Sequence, residues 1–195
     1  MEFINCDEFF NWSRSRGIGL DERYAPPQCL VYVPHARHHR FWEVPERPAA
    51  IPYFVTHLLV GFDRWSHCYV WPRGGVWPEA EGSDRPDDRV RDVMLRGAGI
   101  PGGFEGAVRY GEDEVDRLIT VVFAQLLFGW SVPDDLFVIP DHGRQFLQTD
   151  HHGVVHVDFA EQALIEAFVK HMADEDYSLP AELPDATFRR PEWMK

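Results

Sequence analysis

The stretch Leu136-Phe137-Val138-Ile139-Pro140-Asp141-His142-Gly143-Arg144-Gln145-Phe146-Leu147-Gln148-Thr149-Asp150-His151-His152-Gly153-Val154-Val155-His156 reads as a short buried strand running into a β-hairpin. Two β-type runs flank a polar turn that ends in Gly153, where a positive φ is expected. Four of the ten histidines fall between positions 142 and 156. Hairpins followed by helices, without regular β-α-β alternation, point to an α+β domain rather than a parallel doubly wound sheet.

Working outward, the acidic Glu112-Asp113-Glu114 leads into Val115, Leu118, Ile119, Val122, Phe123, Leu126 and Leu127, which match the helical i, i+3, i+4, i+7 template. The acids suit the positive end of a helix dipole and need no catalytic explanation. Further helices are expected over 7–16, with Asp7 as its cap, over 86–96 and over 159–173, the last with Asp158 as its N-cap and Glu161 completing a capping box. Paired strands are expected at Cys29–Val33 with Arg40–Val44, and at Tyr53–Val60 with His67–Trp71. The fold class is therefore one α+β domain over residues 1–195: a mostly antiparallel sheet built from hairpins, with about four helices packed mainly on one face. A mobile loop is expected near 72–88, where Gly, Pro and acidic residues accumulate, and an irregular tail over 179–195, anchored by Phe188 and Trp193.

A chain of 195 residues can bury roughly 70% of its unfolded surface, enough to fold without staples. Fourteen Phe and seven Trp exclude a disordered chain and call for an aromatic core. Thirty-two acidic against nineteen basic residues give a net charge of -13, which repels a phosphate backbone and disfavours nucleic acid. That charge favours encounter with a basic protein partner. Cys6, Cys29 and Cys68 form no Cys-x-x-Cys pair and fit buried thiols in a reducing compartment. The opening residues lack a basic region followed by an apolar run, so the expected location is cytoplasmic. The most apolar stretch, Leu118 to Trp130, is too short to span a membrane.

Candidate binding residues are Asp141, His142, Arg144, Asp150, His151 and His152 at the hairpin, with Trp71, Arg73 and Trp77 as interface anchors beside the 72–88 loop. Strand alternation sends His151 and His152 apart unless the turn bends them together. His156 lies four residues beyond His152, roughly 13 Å along an extended strand, too far for both to bind one ion. Spacing alone assigns no metal and no cofactor. Only a composite site, with His142 or Asp141 approaching Asp150 and His152, would assemble three ligands, and a metal-dependent hydrolase with His151 or Asp141 as base is the alternative that rests on it. Arg144 is expected to pair with Asp150.

The remaining motifs have plain explanations. Gly97-Ala98-Gly99-Ile100-Pro101-Gly102 spells G-x-G-x-x-G, but it follows a helix and carries Pro101 where an amide donor is needed. No Ser sits in G-x-S-x-G, and Ser66-His67-Cys68 alternates across a strand. His35, Arg37, His38, His39 and Arg40 form a basic island whose complement is the acidic stretch from Glu79 to Asp92. The close of the chain, a hairpin leading into a helix of Phe159–Met172 type, resembles that of SMI1/KNR4-like immunity domains over about a quarter of the length and implies no residue or activity. The leading expectation is a non-enzymatic acidic binding protein of antitoxin or immunity type, and a structural subunit of a larger assembly is a further alternative.

Overall fold

A computed structural model describes residues 1–20, 30–32, 38–79, 81, 83–129 and 134–180. In chain order they form β1 (Glu2–Ile4), α1 (Cys6–Ser15), β2 (Ile18–Leu20), β3 (Leu30–Tyr32), β4 (His38–Glu43), α2 (Ile51–Val60), β5 (His67–Pro72), α3 (Pro86–Gly97), β6 (Ala107–Gly111), α4 (Val115–Phe128), β7 (Leu136–Pro140), β8 (Gln145–Asp150), β9 (Val154–Phe159) and α5 (Gln162–Asp174). Seven strands make one antiparallel sheet in the order β1-β6-β5-β7-β8-β9-β4, and β2 pairs with β3 apart from it. The α+β architecture with an antiparallel sheet is as the sequence indicates. No helix among the described residues is long and apolar enough to cross a membrane.

Strand alternation divides the interior in two. One cross-sheet row, Val108-Val70-Val138-Leu147-Val157, runs over five strands and lies entirely in the larger core. Helices α2, α3, α4 and α5 contribute Phe54, Leu58, Leu95, Leu118, Val122, Ile165 and Phe168 to the same core. On the opposite face Tyr69, Trp71, Phe137, Ile139 and Phe146 pack with Phe9 of α1. Phe9 stacks on Trp71 at 4.6 Å between ring centroids, and Trp12 stacks on Tyr69 at 3.8 Å. Four helices cover one face and α1 covers part of the other.

Among the described residues five α-helices form, not four, because Ile51–Val60 is helical where a strand is expected from sequence. Its β-branched and aromatic composition suggested a strand, yet Ile51, Phe54, Val55, Leu58 and Leu59 are the buried positions, a spacing of i, i+3, i+4, i+7, i+8 that only a helix satisfies. Pro52 near the N-terminus fits a first helical turn, where no amide partner is lost. The expected strand pairings are replaced as well: β4 pairs with β9, and β3 pairs with β2. Residues 33 and 29 of the first expected strand, and 181–195 of the tail, lie outside the described residues.

Two caps also differ from expectation. Asp158 belongs to β9 and is buried, so it does not cap α5, which begins four residues later. Asn5, not Asp7, caps α1 by accepting a hydrogen bond from the Glu8 amide. Within the expected 72–88 loop, Trp77 is pinned: its amide and carbonyl bond Phe104 and Gly103, and its indole N–H donates to the Gly106 carbonyl at 3.0 Å.

Helix α5 ends in a Schellman motif. The Tyr177 amide bonds the Met172 carbonyl at 2.8 Å and the Asp176 amide bonds that of Ala173 at 3.1 Å. Asp176 stands in the left-handed position with φ 66°, where glycine is the unstrained choice, and its charge adds to those of Asp174 and Glu175 at the negative end of the helix dipole. Asp176→Gly is therefore expected to stabilise the fold by about 1 kcal/mol in denaturant titration. An unchanged or lowered midpoint would contradict the strain argument.

Candidate functional site

The candidate residues fall into two groups at opposite ends of β8. Gln145 and Asp150, its terminal residues, are separated by roughly 17 Å of extended chain at ~3.4 Å per residue. The composite ligand set that would join His142 to Asp150 and His152 is therefore not assembled.

The first group occupies the β7–β8 turn, where the Gly143 amide bonds the Pro140 carbonyl and Gly143 has φ +67°. His142 Nδ1 accepts from the Arg144 amide at 3.0 Å, and its Nε2 faces the Asp63 carbonyl at 3.4 Å. With one nitrogen accepting and the other placed to donate, the ring is a neutral turn lock, and burial accordingly pushes its pKa down. Asp141 accepts from the His67 amide at 3.3 Å and so closes the end of the β5–β7 pair. Arg144 pairs with Asp63 and reaches Glu161 at 3.9 Å, not Asp150 as expected.

The second group is a continuous polar network around the β8–β9 turn. Asp150 and Val154 form the closing pair, the Gly153 amide bonds the Asp150 carbonyl at 3.0 Å, and Gly153 has φ +81°. This three-residue loop with a left-handed glycine curls His151 and His152 to one side, with ring centroids 4.0 Å apart. Asp150 Oδ1 lies 2.6 Å from His152 Nδ1 and accepts from the His152 amide at 2.7 Å. Its Oδ2 lies 3.6 Å from His156 Nε2, and His156 Nδ1 lies 3.0 Å from His39 Nε2. The antiparallel return of β9 folds back the separation that an extended chain would impose, so His156 joins the cluster.

Behind the turn sits Asp135, its side chain 1% exposed. Oδ1 accepts from the His151 amide at 2.9 Å and lies 3.1 Å from His151 Nδ1, while Oδ2 pairs with Arg73 at 2.7 Å. The hydrogen bond to Asp135 raises the His151 pKa against the opposing effect of burial. Burial disfavours the Asp150 charge, but the His156 and His152 imidazoles, the His152 amide and the charge on His151 outweigh it and hold the carboxyl well below the usual carboxylate range.

Sequence spacing did not single out Asp135, which resembles a solvated loop acid beside Asp134, and its partner His151 is separated from it by a whole hairpin arm. Arg73, expected from sequence as an interface anchor, is an internal counter-charge to Asp135. Trp71 and Trp77 are not surface anchors either: they are 2% and 1% exposed and belong to the two cores. Of the basic island, His38, His39 and Arg40 lie in β4, while His35 and Arg37 fall outside the described residues. Three acids of its expected complement, Asp87, Asp88 and Asp92, pair with nearby arginines: Arg85 with Asp87 and Asp88, Arg91 with Asp88, and Arg96 with Asp92.

The chain matches no family model, no curated protein and no solved structure. Chemically, the second group offers ionised carboxylate, imidazoles with fixed orientation and a solvent-reachable turn.

His151 is expected to titrate above the ordinary imidazole value of ~6.5 and His142 below it, read by NMR. Because the folded value of His151 is raised, its contribution to stability is full below ~6.5 and is lost as the pH rises through that folded value. His151→Ala should accordingly lower the melting temperature more at pH ~5.5 than at pH ~8. Equal losses at both would remove the Asp135–His151 pairing as the cause.

Proposed function

We propose that this protein is a non-enzymatic acidic binding protein that engages a basic protein partner, in the manner of antitoxin or immunity-type proteins. The observation that carries the reading is the net charge of -13, which raises encounter rates with a cationic surface and suppresses those with anionic ones. Its local expression is the end of α5, where Asp174, Glu175 and Asp176 are all exposed although the helix dipole disfavours anions there. Asp174 pairs with Lys170 and Glu175 lies 3.5 Å from His57, while among the described residues Asp176 has no ion-pair partner. Charges kept at a small cost to the fold are the pattern expected of a surface selected for contact.

The test is affinity capture from source cells at low salt, followed by kinetics with the purified, identified partner. A basic partner whose association rate falls about tenfold or more between ~0.05 and ~0.5 M salt supports the proposal. Neutralising Asp174, Glu175 and Asp176 together to Asn, Gln and Asn should slow association while leaving the melting temperature equal or higher. A salt-independent affinity, or a partner that is itself acidic, would retire it.

A further inference from the structure

We propose that the β8–β9 turn is a binding site for one divalent late first-row metal ion of the zinc class, with Asp150, His151 and His152 as its three protein ligands. One donor atom from each of the three side chains lies within 4.8 Å of the other two. Donors held ~2.0–2.2 Å from a common tetrahedral ion stand roughly 3.4 Å apart, a spacing that lies between the 2.6 Å of the His152–Asp150 contact and the 4.8 Å within which all three donors fall. Two imidazoles and one carboxylate favour zinc, cobalt or nickel over magnesium or calcium, which prefer all-oxygen shells.

The turn supplies the geometry that consecutive residues of a strand could not. Gly153 at φ +81° reverses the chain immediately after the ligands. A Cβ on that glycine would meet nothing within 4 Å, so what the glycine provides is its backbone angle. Beneath the ligands, the buried Asp135 carboxylate bonds both the backbone amide and Nδ1 of His151 and is itself held by Arg73. An imidazole fixed at Nδ1 by a carboxylate presents Nε2 outward in one tautomer, the outer-shell arrangement found behind metal-binding histidines. His156, 3.6 Å from the other oxygen of Asp150, plays the same supporting part for that carboxylate. The side chains of Asp150, His151 and His152 are 19%, 14% and 29% exposed, which leaves an entry path and room for solvent to complete the coordination shell. Binding would replace the His152 Nδ1–Asp150 contact of 2.6 Å with bonds from both groups to the ion.

This site is independent of the partner-binding reading and can stand or fall alone. The experiment is calorimetric titration of the full chain, freed of any affinity tag, with zinc chloride, repeated with cobalt chloride and read by visible absorption, with magnesium chloride as control. The expected result is one ion per chain for zinc and cobalt, a rise in melting temperature with zinc, and no heat from magnesium. His152→Ala, which removes a partly exposed ring, should weaken zinc binding at least tenfold, and Asp135→Asn about ten- to a hundredfold through loss of ring orientation. His142→Ala, at the far end of β8, should leave affinity unchanged. Circular dichroism of each variant separates lost binding from lost folding, and Gly153→Ala, which alters only the turn angle, gives a second route to the same loss. Absence of zinc binding to the wild-type chain, or undiminished binding in folded His152→Ala, would overturn the proposal.

Discussion

The buried carboxylate of Asp135 is the constraint on which this end of the molecule depends. It stands just before β7, it meets Arg73 just after β5, and it meets His151 in the turn between β8 and β9. The main chain repeats the link, since the Arg73 amide bonds the Asp135 carbonyl at 2.7 Å. A charge at 1% exposure is tolerable only when its oxygens are all answered, and here an arginine, an amide and an imidazole answer them. Removing one partner of such a set costs on the order of 3–5 kcal/mol, because the charge left behind stays buried. The arrangement therefore fixes the position of three strand ends at once, and the turn that carries His151 and His152 inherits that rigidity.

What was legible in the sequence followed from local signals. The β8–β9 hairpin was readable because its turn ends in a glycine that takes a positive φ, and α4 because seven apolar residues keep one helical stripe. What was not legible depended on long-range partners. Ile51–Val60 carries residue types that favour strands, and only its burial under α4 and α5 decides in favour of the helical period. Asp158 and Glu161 imitate a capping box, but Asp158 is drawn into β9 by pairing with β8 on one side and β4 on the other. The ladder outcompetes the local cap because it satisfies backbone groups on both edges of the strand.

The candidate site shows the same division at the level of single residues. Alternation along an extended strand correctly states that neighbouring side chains diverge, and it fails at His151 and His152 because they occupy the turn itself. Distance along the chain keeps His156 out of the ligand set of His152, yet the antiparallel return of β9 brings His156 to within 3.6 Å of Asp150: Gln148 faces His156 and Asp150 faces Val154. His142 was attractive for its proximity in sequence to Asp150, yet extension along β8 carries it to the other end of the sheet.

The two faces of the sheet explain why polar chemistry gathers where it does. On the face under α2 to α5, the row from Val108 to Val157 stays apolar across five strands. On the other face, the row Trp71-Phe137-Gln148-His156-Phe41 begins in the aromatic core beneath α1 and changes character at β8. Helix α1 is ten residues long, about 15 Å, and a sheet of seven strands at ~4.8 Å spacing is roughly twice as wide, so it cannot cover the whole face. Apolar side chains beyond its reach would forgo the burial that makes them favourable, and polar ones there keep access to water while bonding one another. Among the described residues the network of His39, His156, Asp150 and His151 lies beyond the reach of α1 on that face, so the limit of one short helix sets where the sheet gathers its titratable groups.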